Sequence, residues 1–142
     1  MQLIEILLVE DSLGDARLTM EALKENRVLN QIHHVTDGLE AMDFLYQQGE
    51  HSNAPRPDLV LLDLNMPLMD GREVLGKIKQ DEKLKHIPVI ILTTSQADED
   101  IVKSYDLNAN CYISKPVDLN QFIEVIKSIK SFWLSFVKYP SE

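Results

Sequence analysis

Residues 59–63 read Leu-Val-Leu-Leu-Asp, an apolar run that ends in a carboxylate, Asp63. An apolar run of this length between helical segments is typical of a buried parallel strand. Three other apolar runs also lead to polar side chains: Glu10 and Asp11 follow residues 6–9, Thr93 and Thr94 follow 89–92, and Lys115 comes just after 111–113. In an open α/β sheet, ligands bind outside the carboxyl ends of the strands. We therefore predict that these polar groups meet at one edge of a sheet and form a site.

Five strand candidates alternate with helical segments along the chain. The strands are predicted at about 3–9, 31–36, 58–63, 88–93 and 110–113. This βαβαβαβαβα order implies right-handed crossovers and a parallel sheet that is covered by helices on both faces. We therefore predict an α/β fold in which a five-stranded parallel sheet lies between two layers of helices.

Apolar spacing and capping residues locate the helices. Leu18, Ala22 and Leu23 mark the first helix, at about 13–27. Asp37 is a predicted N-cap of the second helix, since an Asp side chain accepts a hydrogen bond from the first turn. Met69-Asp70-Gly71 predicts either a turn or an N-cap at the start of the third helix. The remaining markers are Val74, Leu75 and Ile78 for the third helix, Ala97, Ile101 and Tyr105 for a weaker fourth, and Leu119, Phe122 and Ile123 for the fifth, which begins after Pro116.

Composition and charge exclude several classes of protein. The chain has 142 residues, of which 44% are hydrophobic and 26% charged, as expected for one ordinary globular domain. Its net charge of -9 argues against a surface that binds DNA or an anionic membrane. No start typical of a signal peptide is present, and no apolar stretch approaches the ~20 residues that span a bilayer. We therefore expect a cytoplasmic protein.

The acidic groups at the strand ends suit a divalent cation. Three carboxylates at one point repel one another, and a hard cation removes that conflict. Mg²⁺ prefers oxygen ligands, usually takes one or two protein carboxylates and bridges to phosphate. We predict Asp11 and Asp63 as direct ligands and Glu10 as a ligand through water. A backbone carbonyl just after Asp63, at Asn65, would complete the set.

Asp63 is the predicted nucleophile because it ends the central strand. A carboxylate can attack phosphorus and form an aspartyl phosphate. The Lys115 ammonium and the Thr93 hydroxyl would then neutralise the phosphoryl oxygens together with the metal. This set of residues predicts a site that accepts a phosphoryl group.

Four groups of motifs are shared with a known family. They are Leu8-Val9-Glu10-Asp11, Leu62-Asp63-Leu64-Asn65-Met66-Pro67 with Met69-Asp70-Gly71, Ile91-Leu92-Thr93, and Tyr112-Ile113-Ser114-Lys115-Pro116. In these motifs the chain resembles the receiver domain of bacterial two-component response regulators, over about residues 3–130. The resemblance implies a flavodoxin-like (βα)5 three-layer sandwich with strand order 2-1-3-4-5. It also implies a sensor histidine kinase as the phosphoryl donor and Mg²⁺ as the cofactor.

The resemblance implies a role for each matching residue. Asp63 corresponds to the phosphoacceptor, Glu10 and Asp11 to the acidic metal-binding pair, and Lys115 to the lysine that contacts the phosphoryl group. The peptide bond between Lys115 and Pro116 is expected to be cis, as it usually is in that family.

The resemblance also implies a conformational switch. Thr93 corresponds to the switch hydroxyl and Tyr112 to the switch aromatic. Thr94 departs from the family, which most often has alanine at that position. The bulkier Thr94 side chain puts the lifetime and accessibility of the phosphoryl group in question.

The loop at 49–57 and the tail at 131–142 are additions to a minimal receiver domain. With them the chain is similar to the small stand-alone regulators paired with cyanobacterial phytochromes. We expect residues 1–130 to form the receiver domain and the tail to extend the last helix without a separate output domain. The aromatic residues Phe132, Trp133 and Phe136 lead us to predict a homodimer through the fifth helix and this tail. A tail that folds back over the domain, or binds another protein, is the alternative.

Other functions stay open at this point. The chain could be an intermediate phosphate shuttle in a phosphorelay, or a binding module that has lost phosphorylation. A Mg²⁺-dependent phosphohydrolase with an aspartyl-phosphate intermediate is the enzymatic alternative. Many such hydrolases carry a second acid two residues after the nucleophile, where this chain has Asn65, which is neither acid nor base. We therefore expect that the protein is not an enzyme and that its chemistry is limited to its own phosphorylation and dephosphorylation.

Overall fold

A computed structural model describes residues 4–24, 30–64, 69–93 and 111–127 of the chain. Within these residues, five strands form one sheet and four α-helices flank it. The strands are β1 (Ile4–Val9), β2 (Asn30–Val35), β3 (Leu59–Asp63), β4 (Val89–Thr93) and β5 (Cys111–Ser114). The helices are α1 (Leu13–Ala22), α2 (Gly38–Tyr46), α3 (Gly71–Gln80) and α4 (Leu119–Lys127), with a short 3-10 helix at Gly49–His51. The predicted fourth helix lies outside the described residues, so α4 is the predicted fifth helix.

All strands of the sheet are parallel, in the order β2-β1-β3-β4-β5. This is the strand order of the flavodoxin-like doubly wound folds, and it confirms the predicted fold class. Each strand begins and ends within one residue of its predicted limits. The inner strands β3 and β4 could be located so closely because a strand that is buried on both faces is apolar along nearly all of its length. The edge strand β2 is different, since it carries Gln31, His33 and His34 and is mostly half-buried.

Two hydrophobic clusters cover the two faces of the sheet and confirm the three layers. On one face, β1, β3 and β4 side chains such as Val9, Leu62 and Ile91 pack with residues of α2 and α3. On the other face, Leu8 and Leu61 are among the strand side chains that pack with α1 and α4. Because neighbouring residues of one strand belong to opposite clusters, the sheet is fixed between its helices from both sides.

Side-chain caps fix where the second and third helices begin. The Asp37 side chain accepts a hydrogen bond of 2.8 Å from the backbone N–H of Glu40. The Asp70 side chain accepts from the N–H of Arg72, at 2.7 Å, and from the N–H of Glu73. The predicted N-cap at Asp37 and the N-cap alternative for Asp70 are confirmed, and each cap stabilises its helix by ~1 kcal/mol.

The predicted apolar stripe of the first helix is wrong in part. Helix α1 ends at Ala22, and Leu18 is 55% exposed, so it contributes nothing to the core. The buried side chains are Ala16, Thr19 and Leu23. Positions 16, 19 and 23 follow the helical repeat on the face toward the sheet, whereas position 18 lies on the opposite side. The prediction of Leu23 is therefore confirmed. Ala16 and Thr19 do not stand out in an apolar pattern because one side chain is small and the other carries a hydroxyl.

No helix in the described stretches 4–24, 30–64, 69–93 and 111–127 has both the length and the apolar character to cross a membrane.

Gly71, at the start of α3, lies against the end of β3. Its N–H donates a hydrogen bond of 2.9 Å to the carbonyl of Leu64. A Cβ at this position would collide with the backbone oxygen of Asp63 and would lie 2.6 Å from the Cα of Leu64. The absence of a side chain therefore lets α3 begin directly behind the residue at the end of the central strand.

We expect Gly71→Ala to lower the free energy of unfolding by ~1–3 kcal/mol, because backbone atoms must move to admit the methyl group. Gly76→Ala, in the same helix, is the matched control, since a Cβ there meets nothing within 4 Å. Alanine favours helix more than glycine, so this control should gain up to ~1 kcal/mol. Urea denaturation measures both, and equal effects of the two substitutions would contradict the packing argument.

Candidate functional site

The strand register brings polar residues together at the carboxyl edge of the sheet. Val9 of β1 pairs with Leu62 of β3, so the next residues along the two strands, Glu10 and Asp63, are neighbours. Thr93 of β4 pairs with Ser114 of β5, which places Lys115 one residue beyond the sheet. The convergence therefore follows from parallel pairing and from strands that end at nearly the same level.

Lys115 joins the acidic residues of this edge in one ion-pair network. Its Nζ lies 2.7 Å from Oε1 of Glu10 and 3.2 Å from Oδ2 of Asp63. It also lies 3.2 Å from Oδ2 of Asp15, in the first turn of α1. The Lys115 side chain is 10% exposed, and the side chains of Glu10 and Asp63 are 0% and 9% exposed. Lys115, Glu10 and Asp63 are thus largely shielded from water, whereas Asp15 is 43% exposed.

Glu10, Asp11 and Asp63 offer carboxylate oxygens that lie within 4.8 Å of one another. Glu10 and Asp63 are buried and Asp11 is exposed, so one side of the cluster is open to solvent. Three oxygen donors at this spacing fit a hard divalent cation, which completes its coordination with water or phosphate oxygens. Among the described residues, the side chains of Glu10, Asp11 and Asp63 are therefore suited to bind a metal ion. Asn65, the other predicted ligand, lies outside the described residues.

Burial and a neighbouring acid change the protonation of Glu10. The pKa of Glu10 is raised to about 7, first because burial disfavours its charged form and then because of the hydrogen bond with, and the charge of, Asp63. The ion pair with Lys115 and a 3.2 Å hydrogen bond from the N–H of Ser12 act in the opposite direction. In the absence of a bound metal ion, Glu10 is therefore protonated in part of the molecules near neutral pH.

The ammonium of Lys115 stays charged. Burial acts to lower its pKa, but the hydrogen bond to Glu10 and the charges of Asp63 and Glu10 outweigh burial and raise that pKa. The peptide bond between Lys115 and Pro116 is cis, as the resemblance led us to expect. Lys115 thus provides a fixed positive charge beside the Asp63 carboxylate.

Of the other predicted site residues, some lie within the described part of the structure and others lie outside it. Tyr112 lies in β5, opposite Ile91 of β4, and packs partly buried against the cluster on the α2 and α3 face. Thr93 is the last residue of β4, but its side chain lies outside the described part of the structure. Thr94 and the tail residues Phe132, Trp133 and Phe136 also lie outside the described residues.

Asp15 is a member of the network that the sequence did not lead us to expect. It follows the N-cap Ser12, whose Oγ accepts a hydrogen bond of 3.2 Å from the N–H of Asp15. The signal that could have found it is an acid in the first turn of the helix after β1, four residues beyond Asp11. Acids there usually serve only the helix dipole, so that signal is weak.

The family model described as the response regulator receiver domain matches residues 6–127. Response regulator Rcp1 of Synechocystis sp. is 51% identical over 136 residues, which cover 96% of this chain and 92% of Rcp1. A structure of Rcp1 in its Mn²⁺-bound form has a TM-score of 0.74 at 50% identity and covers 96% of this chain and 99% of that one.

Two further solved structures are similar along most of their length. The bacteriophytochrome response regulator AtBRR has a TM-score of 0.87 at 43% identity, with 94% of this chain and 96% of AtBRR covered. The phosphorylated cyanobacterial phytochrome response regulator RcpA has a TM-score of 0.76 at 51% identity, with 98% and 99% covered. The similarity therefore includes the site and extends over nearly the whole of each protein.

We expect the unfolding free energy of the metal-free protein to fall between pH 5 and pH 8. A raised native pKa stabilises the fold below the ordinary value of 4.5 and loses that stabilisation as the pH rises through about 7. Glu10→Gln should escape this loss, so its stability relative to the native chain should grow by roughly 1–3 kcal/mol across the range.

Chemical denaturation at pH 5, 6, 7 and 8 in the presence of a chelator measures this difference. The exposed Glu50→Gln is the control, and its difference from the native chain should not vary with pH. An unfolding free energy of Glu10→Gln that keeps the same offset from the native chain at every pH would contradict the argument.

Proposed function

The chain belongs to the response regulator receiver domain family, and on this premise we propose that it is a stand-alone regulator that accepts a phosphoryl group on Asp63. The observation that carries the proposal is the arrangement around that carboxylate. Asp63 is buried, pairs with Lys115 at 3.2 Å and shares a 4.8 Å cluster with Glu10 and Asp11. A nucleophile, a fixed cation and a set of metal ligands therefore lie in one small volume.

The chemistry assigns each residue a part. An oxygen of Asp63 attacks phosphorus and becomes the anhydride oxygen of an aspartyl phosphate, while the bond between phosphorus and the imidazole nitrogen of the donor's phosphohistidine breaks and the electron pair leaves on that nitrogen. Lys115 donates a hydrogen bond to a phosphoryl oxygen and balances its charge. Glu10, Asp11 and Asp63, with the carbonyl of Asn65, would hold Mg²⁺, which when bound neutralises further charge on the phosphoryl group.

Similar proteins support the choice of donor and metal. RcpA is described as a phosphorylated phytochrome response regulator, and AtBRR as a bacteriophytochrome response regulator. We therefore propose a histidine kinase of the phytochrome type as the donor for this chain. The Mn²⁺-bound form of Rcp1 supports a divalent cation at the acidic cluster. Mg²⁺ is proposed because the ligands are all oxygens and the partner group is a phosphate.

The proposed output is a change in the surface formed by the predicted fourth helix, β5 and α4. The added charge on Asp63 would draw the Thr93 hydroxyl inward, and Tyr112 would follow toward the vacated space. Tyr112 is partly buried and packs against the hydrophobic cluster on the α2 and α3 face. This is a local electrostatic event that biases a two-state element. Thr94 would adjust the lifetime of the phosphoryl group by restricting access to it.

The net charge of -9 supports protein partners rather than DNA. We propose that residues 1–130 act as the receiver domain, that the protein works in the cytoplasm, and that it reports its state through protein contacts. We further propose that it performs only its own phosphorylation and dephosphorylation. It would then take up one phosphoryl group per chain instead of turning over small phosphate esters.

We expect the chain to be labelled by acetyl phosphate, or by the phosphorylated cognate kinase, in the presence of Mg²⁺. Labelling should be lost in Asp63→Asn, because an amide is not a nucleophile for phosphorus, and with a chelator present. The matched control is Asp43→Asn on α2, which removes an exposed acid away from the site. Phosphate-affinity electrophoresis or intact mass measures the result.

Labelling of Asp63→Asn at the wild-type rate would contradict the assignment of the phosphoacceptor. Sustained multiple turnover on a small phosphate ester would favour the hydrolase. The absence of any labelling of the wild-type chain by either donor would favour a module that has lost phosphorylation.

The tail leads us to propose a homodimer. Phe132, Trp133 and Phe136 are aromatic residues within five positions, more apolar surface than a short exposed segment usually carries. We expect a dimer at tens of micromolar protein by sedimentation equilibrium, and a weaker one in Trp133→Ala. Leu39→Ala is the control, because Leu39 is an exposed apolar residue of α2. A monomeric wild-type chain, with or without a phosphoryl mimic, would contradict the dimer.

A further inference from the structure

Asp15 contacts Lys115 of the proposed phosphoryl site, although Asp15 is neither the proposed nucleophile nor a proposed metal ligand. Its Oδ2 lies 3.2 Å from Nζ of Lys115, the same distance as that between Nζ and Oδ2 of Asp63. The cap at Ser12 holds the backbone of Asp15 in the first turn of α1. The Ser12 cap therefore helps to fix the position from which Asp15 of α1 contacts Lys115, in the loop after β5.

A lysine ammonium has three N–H donors and no acceptor. In Lys115 the three donors face Glu10 at 2.7 Å, Asp15 at 3.2 Å and Asp63 at 3.2 Å. A phosphoryl group on Asp63 brings new oxygens that need a donor from Lys115. The contact with the Asp63 oxygen can pass to one of these oxygens, and any further donor must come from the contact with Glu10 or Asp15.

Of Glu10 and Asp15, Asp15 can release Lys115 at the lower cost. Its side chain is 43% exposed, whereas that of Glu10 is 0% exposed. It also lines an open cavity of about 260 Å³ together with Leu18, Thr19, Lys115 and Pro116. Water can therefore solvate the carboxylate of Asp15 once the ammonium has moved away, while Glu10 would be left as a buried, unpaired charge.

We propose that Asp15 is a positioning residue that holds Lys115 before phosphorylation and competes with the incoming phosphoryl group for its ammonium. The inference rests on the proposed function of Asp63 and adds a residue that sets its rate. The negative charge of Asp15 also opposes the approach of an anionic donor. Both effects slow phosphorylation, so Asp15 lowers the rate at which Asp63 is phosphorylated in the native chain.

The test compares Asp15→Asn with the wild-type chain, with acetyl phosphate as donor and Mg²⁺ present. In this reaction an Asp63 oxygen forms a bond to phosphorus, the bond between phosphorus and the acetate oxygen breaks, and acetate leaves with the electron pair. We expect Asp15→Asn to be labelled about twofold to fivefold faster, the range for one partly exposed ion pair. Asparagine keeps the shape of the side chain and removes its charge.

Glu21→Gln is the matched control because it removes an equal charge from the same helix. Glu21 is 61% exposed and pairs with Lys24 at 3.0 Å, away from Lys115. Its labelling rate should equal that of the wild-type chain. Thermal unfolding of both variants shows whether each is folded under the assay conditions.

A second readout reports on Lys115 itself. The ¹⁵N resonance of its ammonium in the metal-free protein should shift in Asp15→Asn and stay in place in Glu21→Gln. The inference is overturned if Asp15→Asn is labelled no faster than the wild-type chain, if Glu21→Gln is accelerated equally, or if the ammonium resonance does not move. A wild-type chain that takes no label at all would instead overturn the proposed function of Asp63.

Discussion

The pairing of Lys115 with the buried carboxylates Glu10 and Asp63 is the interaction on which the site depends. Parallel register forces the two acids to be neighbours at the ends of β1 and β3. Their charges would repel one another at this spacing, and Lys115 at 2.7 Å and 3.2 Å offsets that repulsion. Removing one member of such a buried group leaves an uncompensated charge, which typically costs ~3–5 kcal/mol. The acids stay buried only because the lysine, or a metal, accompanies them.

The surrounding fold makes this arrangement rigid on one side and open on the other. Gly71 allows α3 to begin against the end of β3, and the apolar clusters fix both faces of the sheet. Glu10 and Asp63 are held within this packed part, whereas Asp11 and Asp15 lie toward solvent near the start of α1. Glu10 and Asp63 are therefore held in place by the packing, whereas Asp11 and Asp15 are accessible to ions from the solvent.

Much of the fold could be predicted because its determinants are local. Strands buried on both faces are apolar along nearly all of their length, and Asp37 and Asp70 act as caps through bonds to residues two or three positions away. The first helix was predicted less well. Its buried face is made of Ala16, Thr19 and Leu23, and the more apolar Leu18 is exposed. Which side of a helix faces the core depends on how the helix lies against the sheet. An exposed leucine adds an apolar residue on the wrong side, so the apolar pattern does not indicate the buried side.

The sequence by itself determined the parallel sheet and the convergence of Glu10, Asp11, Asp63 and Lys115, because parallel strands present their carboxyl ends at one edge whatever the details of packing. Only the tertiary structure decided that Asp15 also reaches the ammonium of Lys115, across 100 residues of chain. It also decided that Glu10 has no exposed surface while Asp15 is 43% exposed. Distances and solvent access of this kind depend on how α1 packs beside the loop after β5, and no local pattern encodes that packing.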